Sequence, residues 1–120
     1  MKLLIMNASP RKKGNSEILG AIALKEAMRA EVDSAEIVHL RDYRIEQCTG
    51  CMRCVFNEER CHLDDDFYAW YDKMATADAL FLAAPTYVTT IPGSLKTLFD
   101  RYLCIPPLYE KLFGLSLIHI

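Results

Sequence analysis

The sequence carries little net charge and lacks any long apolar segment. Its formal net charge is −2 at pH 7, from 14 Lys and Arg against 16 Asp and Glu. This balance argues against a general nucleic-acid-binding or acidic-membrane role. The apolar run near the N-terminus is too short for a secretory signal and lacks a cleavage site. We therefore expect a cytoplasmic protein with no nucleic-acid or membrane partner, in which thiols stay reduced.

The two commonest nucleotide-binding signatures are also missing. The sequence has neither the Gly-x-x-x-x-Gly-Lys-Ser/Thr spacing of a nucleoside-triphosphate loop nor the Gly-x-Gly-x-x-Gly of a dinucleotide fold. It shows no internal repeat and no low-complexity segment. At 120 residues, 52% of them hydrophobic, the chain fits one domain, small for an α/β sheet with helices on both faces.

Apolar segments of strand length alternate with segments of helical periodicity. Strands are predicted at residues 2–7, 35–40 and 79–84, and helices at about 16–30, after residues 64–66, and at about 94–104. The apolar stripes of the first two helices are Ile18, Leu19, Ile22, Ala23 and Ala27, then Phe67, Trp70, Tyr71 and Met74. The alternation predicts a parallel sheet with right-handed crossovers. In a flavodoxin-like order, 2-1-3, ligands bind between the loops after strands one and three.

The loop after the first strand has the features of a phosphate site. Residues 6–16 join a buried strand to a helix start, where backbone N–H groups and the helix dipole favour an anion. Ser9, Asn15 and Ser16 add neutral donors, and Arg11 adds a fixed positive charge. A terminal monophosphate is the predicted ligand. The alternative is a solvated basic turn that precedes a helix.

The loop after the third predicted strand, at residues 85–93, offers groups for a flat ring. Thr86 has a hydroxyl, Tyr87 has an aromatic face, and Gly93 permits a close approach. Flavin mononucleotide (FMN) suits both loops, because it has one terminal phosphate and a planar tricycle. Since this cofactor carries the redox chemistry, the protein needs no nucleophile–base pair of its own.

Four cysteines are closely spaced between the second strand and the second helix. Cys48, Cys51 and Cys54 have C-x-x-C-x-x-C spacing, and Cys61 follows after six residues. Sulfur ligands at such short gaps indicate an iron–sulfur cluster or zinc, unless the thiols are free or exchange disulfides. His62 offers a substitute ligand, while Cys104 is predicted to be a small buried hydrophobe. The acidic residues 64–66 are interpreted as a helix cap rather than a metal site.

As a set, these segments resemble the NADPH-dependent FMN reductase family, and within it the iron–sulfur flavoproteins. The resemblance covers about residues 1–103 and is carried by residues 7–16, the cysteine-rich loop, residues 77–87 and residues 93–101. It implies that the FMN phosphate is bound by Ser9, Arg11, Asn15 and Ser16, and the flavin ring by Pro85, Thr86, Tyr87 and Gly93. Ala8 is a departure, because the family usually has glycine there, and its methyl group would slightly crowd the loop.

The resemblance also implies a 4Fe-4S cluster on the four cysteines and NAD(P)H as co-substrate. The expected activity is FMN-dependent oxidoreduction, with electrons passing to a small-molecule or protein acceptor. Family members form dimers or higher oligomers, so a homodimer or higher oligomer is expected for the full-length protein. Two alternatives remain: a one-electron carrier that partners ferredoxin, and a zinc-stabilised binding module.

The last residues suggest a non-native end. The family usually continues with two more strands and their helices, whereas residues 115–120 resemble the translation of a sequencing adapter. We therefore expect an FMN-binding domain over residues 1–114, with its cysteine-rich loop at 46–62, followed by a tail on a truncated gene. Such a three-stranded sheet would leave the third strand as an open edge. The alternative is an ordinary fourth strand.

Overall fold

A computed structural model describes residues 1–57, 60–104 and 117–119 of the chain. The strands are β1 (Lys2–Asn7), β2 (Ser34–His39), β3 (Ala79–Ala83) and β4 (Leu117–His119). The α-helices are α1 (Asn15–Arg29), α2 (Arg53–Phe56), α3 (Phe67–Ala75) and α4 (Gly93–Asp100), with 3₁₀-helices at Leu40–Asp42 and Tyr102–Cys104. None of the helices described is long and apolar enough to cross a membrane.

The strands form a parallel sheet in the order β2-β1-β3-β4. The predicted order 2-1-3 is confirmed, and β2 lies at an edge of the sheet. The pairing aligns Ile5 of β1 with Ile37 of β2 and with Phe81 of β3. Parallel strands have their carboxyl ends on one edge, so the loops after β1, β2 and β3 all leave from that edge.

Helices cover both faces of the sheet, which gives the flavodoxin-like three-layer arrangement. Successive strand residues point to opposite faces. Ile5 faces α1 at Gly20, whereas the sulfur of its neighbour Met6 accepts a hydrogen bond of 3.3 Å from the Trp70 indole of α3. The predicted face of α3 is confirmed: Phe67, Trp70 and Met74 are fully buried, and Tyr71 packs partly buried against the core.

The buried face of α1 differs from the predicted stripe. Ile18 and Ile22 are more than half exposed, at 53% and 52%, while Ser16, Gly20 and Ala27 are buried. A Cβ on Gly20 would lie 2.8 Å from Cδ1 of Ile37, so the helix approaches the sheet closely at this point. Small residues therefore form the contact face. The predicted stripe is confirmed at Ala27 and wrong at its three large members, Ile18, Leu19 and Ile22.

The expected open edge at β3 is also wrong. Leu117–His119 pair in parallel with β3, with Leu80 opposite Leu117 and Leu82 opposite His119. This agrees with the alternative of a fourth strand. The pairing does not bear on whether residues 115–120 are native, so the non-native tail and the domain limit at residue 114 stay predictions.

Candidate functional site

The loops after β1 and β3 begin side by side. The two strands are neighbours in the sheet, and the Ala8 N–H just beyond β1 donates to the Ala83 carbonyl at the end of β3, at 2.8 Å. The first loop leads into α1 and the second into α4. The two segments predicted to hold a phosphate and a flat ring thus start from the same place on the carboxyl edge of the sheet.

The first loop is held by the buried amide of Asn7. Its Nδ2 donates to Nδ1 of His39 at 3.1 Å, and its Oδ1 accepts the Ser9 N–H at 3.0 Å. The Ser9 hydroxyl in turn accepts the Arg11 N–H at 3.3 Å. His39, the last residue of β2, is therefore a hydrogen-bond partner of this loop.

The predicted phosphate-binding residues are distributed around the start of α1. Ser9 and Ser16 are buried, whereas Arg11 and Asn15 are exposed. The helix begins after Gly14, whose carbonyl accepts the N–H groups of residues 17 and 18. The first N–H groups of a helix have no intrahelical acceptor, so this end retains the donors that an anion requires.

The second loop contains a tight hairpin at its tip. Tyr87 and Thr90 exchange two backbone hydrogen bonds, of 2.8 and 3.0 Å. Val88 and Thr89 between them have φ angles of 45° and 66°. This left-handed conformation is unfavourable for β-branched residues. The hairpin leaves the Tyr87 ring partly exposed, at 37%.

Pro85, Thr86 and Gly93 complete the predicted ring-binding set. Pro85 is partly buried, and Thr86 and Gly93 are exposed. A Cβ on Gly93 would meet no other atom of the described structure within 4 Å, so the space above it is open to a ligand. Gly93 is the first residue of α4, which also presents backbone N–H groups there.

The predicted metal-binding cysteines lie around one cavity. Cys48, Cys51, Cys54 and Cys61 all line it, and Cys104 lines it from the 3₁₀-helix after α4. All five cysteines belong to the described residues and have free thiols. The four predicted ligands thus lie around a shared cavity, and a fifth thiol lines it from another element.

The thiols around this cavity differ in their surroundings. Hydrogen bonding from the Arg53 backbone, and to a lesser degree from the Thr49 hydroxyl, lowers the pKa of Cys51. Burial raises the pKa of Cys104, whose thiol donates to the Arg101 carbonyl at 2.8 Å. This partly buried position agrees with the predicted packing role of Cys104.

The cysteines do not meet at a single point. Among the residues with described positions, no three His, Cys, Asp or Glu side chains are close enough to share one metal ion. A zinc ion draws its sulfur ligands to about 2.3 Å. His62 lies near this set, with Nδ1 at 3.7 Å from the Cys51 sulfur. The arrangement of the thiols does not support a preformed zinc site.

A buried ion pair closes the base of the cysteine-rich loop. Arg101 donates to the Asp65 carboxylate at 2.6 and 3.3 Å and to the Glu46 carbonyl at 3.0 Å. Asp65 also accepts the N–H groups of Glu46 and Phe67, at 2.8 and 3.1 Å. The helix-cap prediction for residues 64–66 is confirmed only in part: the N-cap residue Asp66 makes no side-chain cap hydrogen bond, whereas Asp65 just before it accepts the first N–H of α3.

The sequence profile of the NADPH-dependent FMN reductase family matches residues 1–116 of the chain. The chain belongs to the NADPH-dependent FMN reductase family. It is 41% identical over 101 residues to an iron–sulfur flavoprotein of Archaeoglobus fulgidus, covering 84% of this chain and 48% of that protein. It is 35% identical over 101 residues to an iron–sulfur flavoprotein of Methanosarcina thermophila, covering 84% of this chain and 52% of that protein.

The chain therefore spans about half the length of the curated relatives it matches. Among solved structures, the NAD(P)H:quinone oxidoreductase of Methanothermobacter marburgensis superposes with a TM-score of 0.69 at 24% identity. That match covers 84% of this chain and 52% of the other. At this identity the similarity establishes the fold alone.

Two arginines of this FMN reductase family member were missed by sequence reasoning. Arg41 donates to the Arg11 carbonyl at 3.3 Å and pairs with Glu17 at 3.0 Å, so it supports the first loop from the end of β2. Hydrogen bonding from the Lys13 N–H, followed by the nearby Arg41 charge, lowers the pKa of Glu17. Arg41 gave no sequence signal, because its partners lie in a distant segment.

Arg101 did give a signal. It continues the buried positions Leu95 and Leu98 at intervals of three residues. A charged residue on such an apolar stripe indicates a buried partner, because an unpaired charge in a core is strongly unfavourable. The sequence could not identify that partner, since Asp65 lies 36 positions away.

Proposed function

We propose that this chain holds FMN at the carboxyl edge of its sheet and serves as the flavin-binding part of an NAD(P)H-dependent oxidoreductase. The proposal rests on one observation: the loops after β1 and β3 begin next to each other, where the Ala8 N–H donates to the Ala83 carbonyl. Membership of the FMN reductase family supports the choice of ligand.

The donors present fit a phosphate at the first loop. The N-terminus of α1 favours an anion, and Arg11 is exposed beside it. In this proposal the phosphate is bound by Ser9, Arg11, Asn15 and Ser16. Ser9 and Ser16 are buried, so they would contact the phosphate from the protein side. Arg11 and Asn15 are exposed and would contact it from the solvent side.

The second loop fits the flavin ring. The partly exposed Tyr87 ring offers a flat apolar face, and the open space over Gly93 allows a close approach. The ring is assigned to Pro85, Thr86, Tyr87 and Gly93. Bound FMN would supply hydride acceptance from a nicotinamide and onward release of electrons. The chain's own part is to bind and orient the cofactor.

The proposed ligand of the four cysteines is a 4Fe-4S cluster. They surround one cavity, and the iron–sulfur flavoproteins at 41% and 35% identity support a cluster rather than zinc. In a 4Fe-4S cluster four cysteine thiolates bind the irons. Cys48, Cys51, Cys54 and Cys61 would be the ligands. The eight-residue helix α4, about 12 Å long, joins the proposed flavin site to this cavity.

An anaerobic absorption spectrum combined with iron and sulfide analysis tests both cofactors. We expect flavin bands, iron and sulfide in the wild type, and bleaching of the flavin by NADH or NADPH. Bleaching only by reduced ferredoxin would instead identify a one-electron carrier. Protein that is colourless and binds no added FMN in a fluorescence titration would overturn the flavin assignment.

The ligand set is tested by paired cysteine substitutions. Cys61→Ser is expected to lower the iron and sulfide content several-fold, because the serine hydroxyl is a poorer ligand for iron. Cys104→Ser is the matched control, as it changes a thiol of the same cavity outside the proposed set. Equal loss in both variants, or zinc without sulfide in the wild type, would contradict the assignment.

A further inference from the structure

Arg101 lies in the wall of the cavity that the cysteines surround. Its side chain is 1% exposed and its partner Asp65 is fully buried. Both terminal nitrogens are engaged, Nη1 with Asp65 and the Glu46 carbonyl, and Nη2 with Asp65. The third nitrogen, Nε, is buried and has no hydrogen-bond partner in the described residues.

An unsatisfied N–H on a buried cation is unfavourable, because the group has lost its bonds to water without replacement. The guanidinium cannot easily turn to find another partner. Two bonds to Asp65 hold its plane, and the Phe67 ring lies under it with the centroid 4.7 Å from Cζ. Because Arg101 lines the cavity, a group bound in the cavity is the candidate acceptor for this orphaned donor.

The charges that face Arg101 show what kind of acceptor suits it. Asp65 of the loop base is its paired anion, and Asp100 of α4 lines the same cavity. Cys61 and Cys104 bring sulfur from two other elements, and Arg53 contributes a second cation from α2. One carboxylate already neutralises Arg101, so the remaining donor suits a sulfur acceptor of modest charge.

We propose that Arg101 donates its Nε–H to a sulfur of the cluster held by the four cysteines and thereby stabilises the reduced cluster. This inference rests on the proposed function. Hydrogen bonds to cluster sulfurs and nearby positive charge stabilise the reduced cluster, which has the more negative charge. They therefore raise its midpoint potential. In this proposal Arg101 raises the midpoint potential of the cluster, and Asp65 holds the Arg101 guanidinium in place.

The midpoint potential of the cluster tests this role. An anaerobic redox titration would compare the wild-type holoprotein with Arg101→Met, Arg101→Lys and Lys25→Met. Lys25 is exposed on α1 and does not line the cavity, so its substitution removes an equal charge away from the cavity wall. We expect a lower potential in Arg101→Met, a smaller decrease in Arg101→Lys, and no change in Lys25→Met.

Arg101→Met leaves Asp65 buried without its partner, so this variant risks poor folding. The double variant with Asp65→Asn removes both charges and is the second variant. A measurement on the wild type needs no substitution at all: pulsed EPR of the reduced cluster in protein grown with ¹⁵N-labelled arginine. We expect a weak ¹⁵N coupling that is lost in Arg101→Lys, while any coupling from the Arg53 backbone nitrogen, which bonds Cys51, remains in that variant.

The outcomes separate the two proposals. Wild-type protein without iron and sulfide overturns the proposed cluster and this inference with it. A loaded wild type that shows no ¹⁵N coupling dependent on Arg101 overturns this inference alone. The same holds if loaded Arg101→Met or the double variant has the midpoint potential of Lys25→Met. A merely structural role for Arg101 would change the iron content and leave the potential of loaded protein unchanged.

Discussion

Val88 combines two unusual properties. It is 94% exposed, although it is apolar, and its φ of 45° is rare for a β-branched residue. Its neighbour Thr89 has the same type of conformation. Asn adopts this conformation at a lower energetic cost than Val does. Val88 is therefore not the most favourable residue for its position in the hairpin of the proposed flavin loop.

Val88→Asn is therefore expected to raise the free energy of unfolding by about 1 kcal/mol. Urea denaturation measures this change. Thr90→Asn is the control, since Thr90 is an exposed residue of the same hairpin without a positive φ. If the two variants changed stability equally, the strain at Val88 would not be the cause.

Asp65 joins three parts of the fold. Its carboxylate bonds Arg101 after α4, the Glu46 N–H at the loop base and the Phe67 N–H of α3. Burial alone would raise the pKa of Asp65, but the hydrogen bonds from Arg101 and the two N–H groups outweigh it and lower the pKa below the ordinary value of 3.8. The charged form is thus favoured in the folded state.

The sign of the pH dependence follows from this lowered pKa. Asp65 contributes stability above the unfolded value near 3.8, and the contribution is lost as the pH falls through the lower folded pKa. Asp65→Asn is expected to lose about 3–5 kcal/mol at neutral pH, because it leaves Arg101 buried without its counter-ion. The deficit should shrink on acidification below about pH 4.

Urea unfolding at a series of pH values from neutral to acid checks this prediction. Asp64→Asn serves as the control, because Asp64 is an exposed acid in the same segment. A deficit of Asp65→Asn that stays constant down to strongly acid pH would show that the ion pair is not what the substitution removes.

The secondary structure could be predicted closely because its signals are local. The bounds of β1 agree with the sequence pattern, and those of β2 and α1 differ by one residue at each end. The packing of α1 could not be predicted this way. Its contact face consists of Ser16, Gly20 and Ala27, whose small size permits the close approach to Ile37 but gives little hydrophobic signal.

The candidate site shows the same division between local and distant information. The phosphate loop and cysteine spacing are visible in the sequence, because each is a short segment. The partners of Arg41 and Arg101 are different: Glu17 lies 24 positions from Arg41, and Asp65 lies 36 positions from Arg101. No local pattern identifies partners at these distances. The binding of FMN and of a cluster by the named residues stays a prediction.

The whole chain exposes an apolar patch on α1. Ile18, Leu19 and Ile22 adjoin each other on the helix, and each is between 38% and 53% exposed. The patch lies opposite the contact face at Gly20, so it contributes little to the packing of this chain. Exposed patches of this kind favour self-association.

The double substitution Ile18→Glu with Ile22→Lys is expected to change the free energy of unfolding by less than about 0.5 kcal/mol, because it replaces exposed residues and adds a favourable i,i+4 pair. Sedimentation velocity should show less self-association than the wild type. Ala27→Lys on the buried face is the control and is expected to be clearly destabilising. A large loss of stability in the double variant would contradict the exposed placement of the patch.

The closed base of the cysteine-rich loop has a further consequence. Arg44 and Asp66 exchange two hydrogen bonds, of 2.7 and 2.9 Å, so the chain enters and leaves this segment at the same point. The base of the segment is therefore held by hydrogen bonds that do not involve its cysteines. A flavin domain with this anchor can gain, lose or lengthen its cysteine spacing without rebuilding the sheet, so cluster binding and flavin binding are free to diverge separately.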